Sequence, residues 1–196
     1  MTDKTLQYYD QHASDFSNNT INVNFKETQD HFLGYLRPGA FILDFGCGSG
    51  RDTKYFLEQG YKVNAIDGSK ELCLLASRYT GIDVKEMRFS ELNAVDTYEA
   101  IWACSSILHV PRSELRDIII KMITALKDQG IIYTSFKYGS FEGERHGRYF
   151  TDLTLESFSQ LIEDVDHIAL VEYWITGDVR PGRGEEQWLN VICRKQ

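Results

Sequence analysis

The 196-residue chain predicts an α/β fold in which helices cover both faces of a doubly wound, mostly parallel sheet. Short apolar runs alternate along the chain with segments whose apolar residues recur at helical spacing. A glycine-rich turn joins the first strand to the helix after it, as is typical of such folds. Only a loop separates the last two strands, so we expect them to pair antiparallel.

Helices are predicted where apolar residues recur every three to four positions between capping residues and glycines. Ser69 and either Thr151 or Thr154 are candidate N-caps, because their hydroxyls can accept from the first helical turn. The predicted helices span Thr5–Phe16, Phe25–Leu36, Asp52–Gln59, Lys70–Tyr79, Pro111–Leu126 and Thr154–Ile162. The predicted strands span Phe41–Phe45, Tyr61–Ile66, Asp83–Arg88, Tyr98–Cys104, Gly130–Phe136, Ile168–Trp174 and Gln187–Cys193. Loops are predicted after the fifth strand and between the last two strands.

The composition is that of an ordinary soluble protein, and we expect one domain over residues 1–196, with residues 1–36 as an N-terminal helical lid. No apolar run approaches the roughly 20 residues of a membrane span, and no signal peptide is visible. The widely spaced cysteines predict reduced thiols and a cytoplasmic location. The net charge of −8 disfavours a broad nucleic-acid surface.

The strongest functional signal is the segment Ile42–Gly50, which reads Ile-Leu-Asp-Phe-Gly-Cys-Gly-Ser-Gly. Its glycines can adopt positive φ and allow close approach of a ligand to the backbone. The helix that opens at Arg51 directs its free N–H groups at the turn. A second strand leads to Asp67 about 20 residues on, where such folds place the acid that binds a ribose. The segment therefore predicts a nucleotide-type ligand site.

The glycine spacing differs from that of dinucleotide-binding proteins, which carry G-x-G-x-x-G. Here Gly46, Gly48 and Gly50 occupy alternate positions. Asp44 precedes them, and its carboxylate suits a cationic ligand group better than a pyrophosphate. With its flanks, the segment resembles motif I of the class I S-adenosylmethionine (SAM)-dependent methyltransferases.

The resemblance extends from about Phe25 to the C-terminus. Leu126–Gly130 resembles the family's L-K-P-G-G turn, and Ser106–Val110 resembles the segment just after its fourth strand. The resemblance is strongest to small single-domain bacterial methyltransferases of the tellurite-resistance and quinone-biosynthesis type. It implies a Rossmann-like sheet of seven strands in the order 3-2-1-4-5-7-6, with the last strand antiparallel.

The resemblance also implies SAM as cofactor, S-adenosylhomocysteine (SAH) as product, and a role for each cofactor-binding residue. The glycine turn would lie under the methionine portion, with Asp44 near its amino group. Asp67 would hold the ribose, and the residues after the third strand would contact adenine. The candidate cofactor residues are Tyr9, Asp44, Gly46, Cys47, Gly48, Gly50, Asp67, Gly68, Ser69, Phe89, Ser90, Glu91 and Cys104.

The N-terminal segment resembles a family helix that closes over the cofactor, with Tyr9, Ala13 and Phe16 at the matching positions. The alternative is an amphipathic helix that only packs on the domain. Trp102, near the end of the fourth strand, is either core packing or a residue beneath the sulfonium.

His109 is the candidate catalytic residue, placed near the transferred methyl group. A histidine can accept a proton from a hydroxyl or amine nucleophile because its unperturbed pKa lies near neutrality. The alternative is a structural histidine bonded to backbone. An anionic nucleophile would need no base, since alignment of the reactants and exclusion of water would suffice.

Basic side chains on two loops are candidates for substrate binding, because both loops should open at the cofactor end of the sheet. Tyr149 and Phe150 would form a pocket wall, and Pro181 would stiffen the second loop. The alternative is that the arginines bind acids of their own loops, such as Glu142, Glu144, Glu185 and Glu186. The candidate substrate residues are Lys137, Arg148, Arg180 and Arg183. We see no metal-binding constellation.

The leading interpretation is a SAM-dependent methyltransferase acting on a small, anionic or polar molecule, with no membrane partner and nucleic acid unlikely. A methyltransferase acting on tRNA or protein would use the same basic loops. A SAM-binding regulatory module without catalysis would share the cofactor residues. The glycine spacing and Asp44 disfavour an NAD-linked oxidoreductase. The sequence predicts neither the acceptor atom nor the oligomeric state.

Overall fold

A computed structural model describes residues 1–180 and 182–196. The helices are α1 (Asp3–Gln11), α2 (Ala13–Thr20), α3 (Lys26–Leu33), α4 (Arg51–Glu58), α5 (Lys70–Thr80), α6 (Arg112–Ala125) and α7 (Leu155–Ile162). The strands are β1 (Phe41–Phe45), β2 (Lys62–Asp67), β3 (Val84–Glu86), β4 (Tyr98–Ala103), β5 (Leu126–Lys137), β6 (Glu142–Arg145), β7 (Arg148–Thr151), β8 (Ile168–Gly177) and β9 (Gln187–Lys195). Ser69 and Thr154 cap α5 and α7 through their side chains, as the sequence indicates.

The central sheet has seven strands in the order β3-β2-β1-β4-β5-β9-β8. Strands β1 to β5 pair in parallel, whereas β9 runs antiparallel to both β5 and β8. The predicted order 3-2-1-4-5-7-6 is confirmed, because β8 and β9 are the sixth and seventh strands of this sheet along the chain. Parallel pairing brings the carboxyl ends of β1, β2, β4 and β5 to one edge, where ligands of such folds bind.

The region after β5 differs from the prediction, because part of it is a β-hairpin rather than a loop. Strands β6 and β7 pair antiparallel, with Arg145 opposite Arg148 across a two-residue turn. Both turn residues, His146 and Gly147, are left-handed, with φ of 49° and 78°. Two such residues in a row match the twist of a hairpin. Gly147, at the second position of the turn, is the residue from which the sequence could have predicted it.

The predicted N-terminal helix Thr5–Phe16 is instead two helices, α1 and α2, separated at His12. The backbone of His12 leaves helical geometry, with φ of −116° and ψ of 17°. The Nδ1 atom of His12 lies 2.8 Å from the carbonyl oxygen of Tyr8 and can satisfy it where the helix ends. The chain therefore bends over the sheet edge instead of continuing straight.

Side chains on the two faces of the sheet form separate apolar clusters. One packs against α6 and α7 and includes Leu43 and Phe45. The other packs against α3 and α4 and includes Trp102 and Tyr133, whose rings stack with centroids 4.0 Å apart. Trp102 is fully buried and therefore packs in the core. In the part of the chain that the structure describes, no helix is long and apolar enough to span a bilayer.

Candidate active site

The glycine turn between β1 and α4 has a backbone conformation that side chains would obstruct. Gly46, Gly48 and Gly50 are all left-handed, with φ of 92°, 55° and 81°. A Cβ on Gly46 would lie 2.5 Å from the Cβ of Ser106, closer than any real contact. The N–H groups of Gly46 and Cys47 donate to the carbonyl of Ile66, at 3.0 and 2.9 Å. The turn is thus fixed to β2 and exposes bare backbone at the sheet edge.

Asp67 ends β2 beside this turn and is 8% exposed. Its Oδ2 accepts from the N–H of Gly48 and its Oδ1 from the N–H of Ser69, both at 2.9 Å. Burial raises the pKa of Asp67, and these N–H donors partly offset the rise. A carboxylate oxygen has more than one acceptor position, so Asp67 can still accept from a ligand hydroxyl.

A cavity lies between the glycine turn, the carboxyl ends of the strands and helices α1 and α2. It contains about 1260 Å³ of empty space, part of it open to solvent. Predicted cofactor and substrate residues line it together. These residues are Tyr9, Gly46, Cys47, Gly48, Asp67, Phe89, Cys104, His109, Lys137, Arg148, Arg180 and Arg183.

Other predicted cofactor residues lie outside the cavity lining: Asp44, Gly50, Gly68, Ser69, Ser90 and Glu91. Ser90 is exposed, and the Glu91 carboxylate accepts from the N–H of Arg88 at 2.7 Å. A Cβ on Gly68 would lie 2.6 Å from Leu6 of α1, so that helix covers this turn. Gly50 and Ser69 serve the packing and capping of α4 and α5.

Asp44 lies beneath the glycine turn and is 2% exposed. Its Oδ2 accepts from the Thr53 hydroxyl at 2.6 Å. Burial raises the pKa of Asp44, and the nearby charge of Asp52 raises it further. In this arrangement Asp44 supports the turn from behind rather than facing the cavity.

Several lining residues were missed from the sequence: Arg51, Asp52, Ser135, Asp178, Trp188 and Asn190. Asp52 accepts from Arg51 Nε at 2.7 Å and from Trp102 Nε1 at 2.8 Å. Burial opposes ionisation of Asp52, but the Arg51 cation outweighs it and lowers the pKa of the carboxyl. The opposite charges of Arg51 and Asp52, directly after the glycines, could have indicated from the sequence that both residues lie at the site. Asp178 was missed because β8 runs past its predicted end at Trp174.

His109 is buried and bonded on both ring nitrogens. Its Nδ1 lies 2.6 Å from the carbonyl oxygen of Tyr149, which can only accept, so Nδ1 carries the proton. The Nε2 atom then accepts from the Tyr9 hydroxyl at 2.8 Å. Burial lowers the pKa of His109 to about 3. The imidazole is therefore neutral, and it orients the Tyr9 oxygen.

The basic side chains of the cavity differ in their partners. Arg180 is paired with Asp178, and Lys137 and Arg183 are both paired with Glu186. The predicted alternative of arginines bound to acids of their own loop therefore describes the geometry of Arg180 and Arg183. Pro181, expected to stiffen this loop, lies outside the described residues.

Arg148, on β7, stands between aromatic rings instead of beside an acid. Its guanidinium carbon lies 4.8 Å from the ring centroid of Tyr8 and 5.2 Å from that of Phe150. Its Nη1 donates to the Tyr9 hydroxyl at 3.3 Å. Arg148 and His109 therefore meet at one tyrosine oxygen.

Helix α1 is bonded to both ends of the site. The Thr5 hydroxyl accepts from the Tyr149 N–H of the hairpin at 2.9 Å. On the other side, the Ser69 hydroxyl donates to Asp10 at 2.7 Å. In α2, Phe16 places its ring 3.0 Å from where a Cβ of Gly48 would be. The two helices thus cover the cavity between β2 and the hairpin.

Comparison with known proteins supports a methyltransferase domain in this chain. A sequence profile of a methyltransferase domain matches residues 42–130, which include the glycine turn and Asp67. The strand order found here is the one implied by the family resemblance. Residues 42–130 thus match a methyltransferase domain, in agreement with the resemblance of the chain to the class I SAM-dependent methyltransferases.

Two curated relatives are each 25% identical to this chain. An uncharacterized methyltransferase of Staphylococcus carnosus (strain TM300) aligns over 157 residues, 74% of either chain. Pavine N-methyltransferase of Thalictrum flavum subsp. glaucum aligns over 175 residues, 79% of this chain, which spans 48% of that relative. A solved structure, the 1,6-didemethyltoxoflavin-N1-methyltransferase of Burkholderia thailandensis with 1,6-didemethyltoxoflavin and SAH, superposes with a TM-score of 0.77 at 22% identity. That superposition covers 97% of this chain and 85% of the other, and it shows a shared fold.

Proposed function

We propose that this methyltransferase transfers the methyl group of SAM to a small, polar or anionic molecule and releases SAH. One observation carries the proposal: the glycine turn and Asp67 share a single cavity with the basic residues of the hairpin and of the β8–β9 loop. Helices α1 and α2 cover that cavity, so a small molecule fits it better than a folded macromolecule.

The residues present fit the cofactor. The glycine turn lines the cavity with backbone that carries no side chains at Gly46 and Gly48, and Asp67 keeps acceptor capacity for ribose hydroxyls. The Phe89 ring, after β3, provides an apolar surface for the adenine. Bound SAM would supply an electrophilic methyl group. The chain's contribution is to orient the two reactants and exclude water.

His109 is better suited to positioning than to proton transfer. A base must have a free lone pair facing the substrate and a pKa near the working pH. The Nε2 of His109 already accepts from Tyr9, and burial lowers the pKa of the ring to about 3. We infer that His109 fixes the Tyr9 hydroxyl, whose oxygen faces Arg148 and the acceptor. An anionic acceptor would react without a base.

We propose that α1 and α2 form a lid. Cofactor entry would have to break the bonds from Thr5 to Tyr149 and from Ser69 to Asp10. Lids that open and close in this way commonly gate enzyme sites. Hydrogen exchange in residues 3–20 should slow when SAH binds. Equal exchange with and without SAH would indicate a permanently packed segment.

A turnover screen tests the activity. The protein is incubated with SAM and sets of small carboxylic acids, phenols, thiols and amines, and SAH release is measured against Asp67→Asn. Release with a member of one set, absent in the variant, supports the proposal. SAM binding by calorimetry without release from any set would instead support a regulatory module. SAH release with tRNA or protein alone would point to a macromolecular substrate.

A further inference from the structure

Arg148 is the exception among the basic side chains that line the described part of the cavity. The others form ion pairs: Arg51 with Asp52, Arg180 with Asp178, and Lys137 and Arg183 with Glu186. Arg148 forms no ion pair with any acid in residues 1–180 and 182–196. Arg148 is half-buried, and a cation withdrawn from water is normally compensated by a partner, so this one invites a negative ligand group.

The unused hydrogen-bonding edge of Arg148 indicates which group that is. Its Nη1 is engaged by the Tyr9 hydroxyl, whereas its Nε is buried without a partner. The Nε–H and one Nη2–H point in parallel from the other edge of the guanidinium. Two parallel donors match the two oxygens of a carboxylate. An unmade bond at a buried donor is costly, so a ligand there would remove that cost.

The surroundings favour a single negative charge at this edge. His109 is neutral, and the neighbouring Arg145 is already paired with Asp152. The aromatic rings of Tyr8, Tyr9 and Phe150 lie beside the guanidinium and bring no negative charge of their own. A dianionic phosphate favours a second free basic side chain, and the other basic side chains of the lining in the described residues, Arg51, Lys137, Arg180 and Arg183, have acidic partners.

We propose that the free edge of Arg148 binds a carboxylate of the methyl acceptor. The inference rests on the proposed function, since it names one group of the acceptor held in the same cavity. Because β7 carries Arg148 and Tyr149 anchors His109, the hairpin would fix the carboxylate relative to Tyr9. The carboxylate would thereby orient the acceptor in the cavity.

Binding of a simple probe tests this without turnover. The SAH-loaded protein, labelled with ¹⁵N in its arginines, is titrated with benzoate and separately with inorganic phosphate, and arginine Nε–H signals are followed. The Arg148 signal should shift saturably with benzoate and at least tenfold more weakly with phosphate. Phosphate binding as tightly as benzoate, or no saturable shift at Arg148, would overturn the proposal.

Two variants check the assignment. Arg148→Lys keeps the charge but loses the paired donors, so benzoate affinity should fall roughly tenfold to a hundredfold. Arg37→Lys, at an exposed arginine outside the cavity lining, should retain benzoate binding. Unchanged affinity in Arg148→Lys would contradict the two-point contact. SAH calorimetry on the same samples separates this result from a failure of the cofactor site.

Discussion

The proposed cofactor end and the proposed acceptor end of the cavity are built from different parts of the chain. At the cofactor end, glycines with positive φ expose backbone, and Asp67 binds two backbone N–H groups. At the acceptor end, charged side chains from β5, β7 and the β8–β9 loop form the wall. Backbone geometry tolerates few substitutions, whereas paired charges partly replace one another. We therefore expect steep effects at the first end and graded effects at the second.

The largest effect is expected for Gly46→Ala. The new Cβ would overlap Ser106, which adds about 1–3 kcal/mol of overpacking to the cost of positive φ. Gly60→Ala is the matched control, because Gly60 has a φ of 84° and nothing within 4 Å of its Cβ position. Urea unfolding should show Gly46→Ala as the less stable by about that amount. Equal losses in the two variants would mean that conformation alone, and not space, selects glycine at Gly46.

The second-largest effect is expected for Asp67→Asn. The amide has one acceptor oxygen, so either Gly48 or Ser69 faces a donor instead. SAH affinity should fall roughly tenfold to a hundredfold, because a hydrogen bond to a charged group contributes about 1.5–3 kcal/mol. Calorimetry with SAH measures it, and Asp83→Asn, an exposed acid, serves as control. Unchanged affinity in folded Asp67→Asn would remove Asp67 from the ribose site.

The contrast between the two ends of the cavity also explains which features the sequence could predict. The glycine turn and Asp67 follow from local patterns, since a left-handed turn restricts which residues fit, and the strand order follows from the family resemblance that those patterns carry. Partners of the charged residues do not follow, because Arg148 meets Tyr9 only through the fold, across 139 positions of sequence. Glu91 illustrates the limit: its position after β3 suggested adenine, but its carboxylate bonds locally to Arg88.

The contact between Tyr9 of the proposed lid and His109 should make the stability of the protein depend on pH. The pKa of His109 is about 3 in the folded protein, below its usual 6.5. Between these values the unfolded chain binds a proton that the native state does not, so stability is full above pH 6.5 and falls as pH decreases. The slope from this group approaches about 1.4 kcal/mol per pH unit.

His109→Gln should therefore be less stable than wild type at pH 7 by about 1 kcal/mol, through the lost Tyr9 bond. As the pH is lowered toward 5, the difference should shrink or reverse, since glutamine does not titrate. Urea unfolding at several pH values measures this, with the exposed His12→Gln as control. Parallel curves for His109→Gln and wild type would show that this ring takes up protons equally in both states.

The smallest effect is expected for Arg183 of the β8–β9 loop, whose two arginines should differ. Arg180 makes two hydrogen bonds to Asp178, which is 2% exposed and has its pKa lowered to about 2, as these bonds outweigh burial. Arg180→Ala removes the cation and two donors from that carboxylate, which keeps only the backbone N–H of residue 180 and Trp188 Nε1, and should cost about 1–3 kcal/mol. Arg183 is 45% exposed and 3.7 Å from Glu186, which Lys137 also holds. Arg183→Ala should therefore change the free energy of unfolding by less than about 0.5 kcal/mol and leave SAH affinity intact. A large stability loss in Arg183→Ala would show that this end of the cavity is as rigidly determined as the glycine turn.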